Sequence, residues 1–116
     1  MNKQEATKLV ATITDLLTGY DLVTVTITPR KKGRPEVRVD QRFISAYQVD
    51  HTNGASVVAI HDSYGVMAGA SAWEIDIDSR TVYARTTNAY GEPCIFSWTV
   101  TDRGGETYQE FREINL

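Results

Sequence analysis

Helical periodicity is sustained in one segment of this chain only. Ala6, Leu9, Val10, Ile13, Leu16 and Leu17 follow the spacing 3, 1, 3, 3, 1, which makes one apolar stripe on a helix over 3–18. Asn2 and Glu5 stand as the two halves of a capping box, and Gly19 supplies a stop. Beyond Gly19 the apolar residues recur with period two. Parallel α/β folds need helical crossovers, and the chain leaves no room for them. The expected class is α+β: one N-terminal amphipathic helix packed on a curved antiparallel meander of six to seven strands. At 116 residues this is one domain, 1–116.

Strands are expected over roughly 20–28, 36–51, 55–61, 71–78, 81–87, 94–101 and 106–114. Val23, Val25 and Ile27 share one face of the first. Val37, Val39, Phe43, Tyr47 and Val49 share odd parity, which predicts one long, bent strand over 36–51. Pairing Thr28 with Glu36 sets Ile27 opposite Val37 and Val25 opposite Val39. Asn53-Gly54 is the strongest hairpin signal in the chain. A two-residue turn there puts Val49 opposite Val58 and Tyr47 opposite Ile60. A turn at Ser79-Arg80 puts Ile77 opposite Val82, Ile75 opposite Ala84 and Glu74 opposite Arg85. Cys94, Phe96, Trp98 and Val100 share a further apolar face. Residues 106–114 read as a returning strand, with helical spacing of Tyr108, Phe111 and Ile114 as the alternative.

A single cysteine, Cys94, excludes a disulfide framework within the chain and a cysteine-rich zinc site. No signal-peptide core follows Met1, and the longest apolar run, Val57–Ile60, is far too short to span a bilayer. A cytoplasmic protein without a membrane partner is expected.

Charge is distributed unevenly. Residues 29–42 hold six bases against two acids, giving +4, while the remaining six bases and thirteen acids give −7. A basic segment on an acidic body seeks an anionic partner. The candidate binding residues are Arg30, Lys31, Lys32, Arg34, Arg38 and Arg42 on the ribbon 30–42. Tyr64 and Tyr90 join them, each beside a glycine in a loop that the meander places at the same end of the sheet as Pro29–Pro35. Tyrosine on a loop offers a large amphipathic contact area at low entropy cost. Gly33-Arg34-Pro35 preceded by Lys31-Lys32 resembles the Gly-Arg-Pro core of AT-hook peptides, over about five residues. That resemblance implies a chain lying in the DNA minor groove. It departs from the pattern at Lys32, where arginine is usual, and at Glu36-Val37, where further bases would follow.

Catalytic chemistry finds little to use. The hairpin at Asn53-Gly54 sets His51 and His61 on opposite faces, so they cannot share a metal. His61-Asp62-Ser63 is contiguous, and neighbours on a strand point to opposite sides. Cys94 reads as a packed thiol. Glu74, Asp76 and Asp78 share an outer face that Arg80 and Arg85 neutralise in part. Gly65–Ser71 is rich in small residues and lacks the lysine of a phosphate-binding loop. The expected function is non-catalytic. The chain reads as an accessory or inhibitor-type interaction module, similar in type to small proteins of phages and mobile elements. It would bind a protein, for instance one that handles nucleic acid, without a cofactor. Direct nucleic-acid binding through 30–42 is the alternative, and a small-ligand pocket between helix and sheet is the second.

Overall fold

The computed structural model describes residues 1–19, 22–31, 33, 35–88 and 90–101. Lys32, Arg34 and the strand expected over 106–114 lie outside the described residues.

The helix, α1 (Lys3–Leu17), starts on the expected capping box. Asn2 Oδ1 accepts from Glu5 N at 2.8 Å, and Asn2 N donates to Glu5 Oε1 at 3.2 Å. Ala6, Ile13, Leu16 and Leu17 are buried, so the stripe is core.

Among the described residues eight strands follow in two sheets, in place of one meander. They are β1 (Val23–Pro29), β2 (Val37–Gln41), β3 (Phe43–Asp50), β4 (Ser56–Asp62), β5 (Gly65–Met67), β6 (Ala72–Asp76), β7 (Thr81–Thr87) and β8 (Pro93–Val100). The large sheet has the order β2-β1-β8-β7-β6, and the small one β3-β4-β5, all antiparallel. Strand β8 thus returns beside β1, with Val23 opposite Val100 and Pro29 opposite Cys94. The expected β1–β2 register holds, with Ile27 opposite Val37 and Val25 opposite Val39.

The long strand over 36–51 is two strands that part at Arg42. Arg42 N donates to Ser63 Oγ at 2.9 Å, and its carbonyl accepts from Ser63 N at 3.0 Å. A neighbouring turn takes up the backbone groups that a continuing ladder would have used. Just beyond, β3 carries a bulge between Phe43 and Ser45, with Ile44 as the extra residue. One extra residue reverses the facing of everything after it. Ala46 and Gln48 therefore face inward and Tyr47 and Val49 outward.

The hairpin register is corrected in the same sense. His51 N donates to Ala55 O at 2.8 Å and Gly54 N to His51 O at 3.0 Å, closing a three-residue loop. Gly54, at φ +86°, takes the left-handed position this loop requires. Val49 faces Val57 and Tyr47 faces Ala59, one residue off the two-residue-turn register. His51 and His61 then share a face, contrary to expectation. They lie at opposite ends of the hairpin, since His61 pairs with Ser45. The β6–β7 turn is likewise longer than expected. Asp76 Oδ1 accepts from Asp78 N at 3.1 Å and Ser79 N at 3.3 Å, drawing Ile77 into the turn. Ile75 pairs with Val82 and Glu74 with Tyr83, so Glu74 and Arg85 are diagonal neighbours only.

One core joins both sheets to the helix. Val58, Ile60 and Met67 from the small sheet meet Val23, Val25, Val82, Ala84, Trp98 and Val100 from the large one, with the α1 stripe among them. Trp73 stacks on Trp98 at 6.4 Å between centroids, and Phe96 tilts against Trp98 at 5.9 Å. Across the core, Trp98 Nε1 donates to Asp62 Oδ2 at 2.9 Å. The other carboxylate oxygen of Asp62 accepts from Tyr64 N at 2.9 Å and Gly65 N at 3.1 Å. This buried side chain ties the large sheet to the turn that ends β4.

Candidate interaction surface

The expected site residues fall into two groups. At the Pro29 end of β1, Arg30 N donates to Pro93 O at 3.1 Å, fastening the β1–β2 connection to the loop that precedes β8. Lys31 Nζ lies 3.7 Å from Glu92 Oε2. Arg30, Lys31, Gly91, Glu92 and Pro93 line an open cleft of about 560 Å³. Beside it stands Tyr90, 87% exposed.

Asn88 builds the Tyr90 loop. Its Oδ1 accepts from Tyr90 N at 2.9 Å and Glu92 N at 3.0 Å. Its own N donates to Glu92 O, and its carbonyl accepts from Gly91 N, both at 2.9 Å. These bonds fix the backbone beneath Tyr90 before any partner arrives, which lowers the cost of ordering the loop on binding.

Tyr64 and Arg42 form the second group, at the other end of β1. Gln41 is in register with Val23, and Ser63 Oγ bonds Gln41 Oε1 as well as Arg42 N. Seven residues of β1, at roughly 3.3 Å each, put about 20 Å between the two tyrosine loops. The expectation that both lie at one end of the sheet therefore fails. The cause is the chain's departure into the second sheet at Arg42. A signal in the sequence links the loops all the same. Asp62-Ser63-Tyr64-Gly65 and Asn88-x-Tyr90-Gly91 share an Asx residue two before the tyrosine. In each, its side chain accepts from the tyrosine N–H at 2.9 Å.

Arg38 belongs to neither group. It lies on the outward face of β2, 3.2 Å from Glu36 Oε1. The same face carries Asp40, bonded by Thr24 Oγ1 at 2.9 Å, and Glu36 also takes a bond from Thr28 Oγ1 at 3.3 Å. Acid and base alternate on this ribbon, so it offers no unbroken cationic track among the described residues.

A larger cleft, of about 590 Å³, opens where the α1 N-terminus, the start of β4 and Gly69–Ala72 meet. Leu9, Val58, Ala70 and Trp73 are among its walls, and Glu5 stands at it, engaged in the capping box. Burial raises the Cys94 thiol above its ordinary 9.0. Asp50 is lowered below 3.8, chiefly by the hydroxyl of Ser56 at 2.6 Å and then by Gln48. Among the described residues no three His, Cys, Asp or Glu side chains gather as a metal site, and no helix is long and apolar enough to cross a membrane.

No known protein family matches the chain, and no curated protein does. Among solved structures it is similar to the crystal structure of the Bacillus subtilis YojF protein. The likeness covers 85% of this chain and 93% of that one, at 12% identity and a TM-score of 0.48.

Proposed function

We propose that this protein is a non-catalytic interaction module whose contact surface is the Pro29 end of the large sheet. Tyr90 is the anchor, and Arg30 and Lys31 are the flanking charges that choose an acidic protein surface. The observation that carries the reading is the Tyr90 ring, fully presented on the Asn88-bonded loop and next to the only cationic pair of the described ribbon that lies at a loop. Adjacent charges of this kind act mainly on the rate of encounter. The balanced face of β1 and β2 favours a protein over a nucleic-acid backbone, because phosphate tracking needs uninterrupted cationic contacts. The dispersal of His51, His61 and Cys94 supports the non-catalytic part of the reading.

The test is capture of partners from lysate by the immobilised chain, with and without nuclease. The expected result is a protein retained after nuclease treatment. Tyr90→Ala should lower its affinity at least tenfold, on the scale of an aromatic hot spot. Arg30→Ser with Lys31→Ser should slow association, and Tyr64→Ala should leave binding intact. Binding that vanishes with nuclease, or survives all of the Tyr90, Arg30 and Lys31 changes, refutes the reading.

A further inference from the structure

Among the four asparagines of the chain, Asn2, Asn53, Asn88 and Asn115, Asn53 alone precedes a glycine. The pair forms the tip of the β3–β4 hairpin. Thr52, Asn53, Gly54 and Ala55 are all exposed there, so water reaches the side-chain amide and the peptide that follows it. An asparagine amide is open to attack by the backbone nitrogen of the next residue. Glycine, with no Cβ, leaves that nitrogen unshielded.

In the folded hairpin both reacting groups are engaged. Gly54 N, the attacking atom, donates to His51 O at 3.0 Å. Asn53 Oδ1, on the carbon attacked, accepts from Ala55 N at 3.0 Å. The tip is tied in turn to the N-terminal residues. Ser56 N donates to Met1 O at 2.7 Å, and Asn2 forms a backbone bridge with Ala55. Asn2 is also the cap of α1, so one residue holds both the helix start and the hairpin tip.

We propose that Asn53 is a site of spontaneous deamidation and isoaspartate formation, and that the tie between the hairpin tip and the start of α1 sets its rate. Gly54 N gives its proton to water and attacks Asn53 Cγ. The N–Cγ bond forms, the Cγ–Nδ2 bond breaks, and the amide leaves as ammonia with the proton returned to it. Water then opens the resulting succinimide. Cleavage of N–Cγ gives aspartate on an unchanged backbone. Cleavage at the main-chain carbonyl carbon routes the backbone through Cβ and Cγ and gives isoaspartate. Water is the sole co-reactant. Ring closure needs Gly54 N released from His51 O and Asn53 Oδ1 released from Ala55 N. The reaction therefore proceeds from an opened tip, at the rate of the free segment multiplied by the open fraction. Loosening the N-terminal residues enlarges that fraction. Isoaspartate also places an extra methylene in a loop whose length fixes the β3–β4 register, so the product no longer fits the hairpin.

Ageing of the full chain in mildly alkaline buffer, read by peptide mass spectrometry that separates aspartate from isoaspartate, tests this. The references are the chain held unfolded in guanidinium chloride and a free peptide of residues 49–58. Asn53 should be converted in both references, with isoaspartate among the products, while the other asparagines stay intact over the same interval. Conversion in the folded chain should be at least tenfold slower. Asn2→Ala removes the cap bond to Glu5 N, and Glu5→Ala removes the reciprocal bond to Asn2 N. Each should speed conversion in the folded chain severalfold and leave the rate in guanidinium chloride unchanged. An unfolded chain that keeps Asn53 intact overturns the proposal, as does a folded chain converted as fast as the unfolded one. Folded Asn2→Ala and Glu5→Ala chains that age no faster than the wild type overturn it as well.

Discussion

Asp62→Ala removes three hydrogen bonds from one side chain that is 5% exposed. The costs differ. Trp98 is fully buried, so its indole N–H loses its acceptor where water cannot replace it. An orphaned buried donor costs about 1–3 kcal/mol. The N–H groups of Tyr64 and Gly65 belong to exposed residues and can turn to water, so each bond loses only about 0.5–1.5 kcal/mol. The expected total is about 2–6 kcal/mol, a large share of the roughly 5–15 kcal/mol that holds a domain folded. Trp98→Phe attacks the same bond from the other side and leaves a buried carboxylate oxygen without its donor. In the double variant neither partner is orphaned, so its cost should fall short of the sum of the singles by about 1–3 kcal/mol. Urea unfolding followed by far-ultraviolet circular dichroism reads all three, with Asp62→Asn as an intermediate that keeps one acceptor. Loss of less than about 1 kcal/mol in Asp62→Ala, or additivity within about 0.3 kcal/mol, would refute the view that this carboxylate joins the sheets.

Ile13→Asp puts an unpaired carboxylate at a fully buried position and should cost several kcal/mol, leaving little soluble folded protein; a soluble, cooperatively melting variant contradicts it. Cys94 should resist a thiol reagent at about pH 8 until urea is added, because its thiolate is disfavoured by burial. Its folded pKa is raised, so the associated stability is complete below the unfolded value of 9.0 and is lost as pH rises through the folded one. Wild type should therefore lose stability more steeply than Cys94→Ala above about pH 9, after a packing cost of about 1 kcal/mol for the substitution itself. Parallel slopes would contradict the burial effect.

The parts of the fold that local rules govern are the parts the sequence discloses. The capping box of Asn2 and Glu5, the helical stripe, the β1–β2 register and the shared face of Cys94, Phe96 and Trp98 each depend on residues close in the chain. What escapes is set by single residues acting on long ladders. Ile44 is an ordinary strand residue whose bulge lies just beyond the point where Ser63, twenty-one residues after Arg42, takes the backbone of Arg42. Asn53-Gly54 suits both a two- and a three-residue loop, and inward packing of Val58 and Ile60 chooses the latter. The adjacency of Arg30, Lys31 and Tyr90 follows from the sequence pattern, because their loops border the neighbouring strands β1 and β8. Tyr64 lies at the other end of β1 because the chain changes sheets at Arg42, and no local pattern announces that change.

The pairing of β1 with β8 has a consequence in time. Val23 must wait for Val100, seventy-seven residues later, before the large sheet can close around its middle strand. At roughly 5–20 residues per second a ribosome takes about 4–15 s to supply them. Through that interval the inward residues of β1 and β2 have no lasting cover. Long-range antiparallel closure is also slow once the whole chain is available. A nascent chain of this protein is thus a client for whatever shields apolar strands in the cell, and its yield on overexpression should depend on synthesis rate more than on final stability.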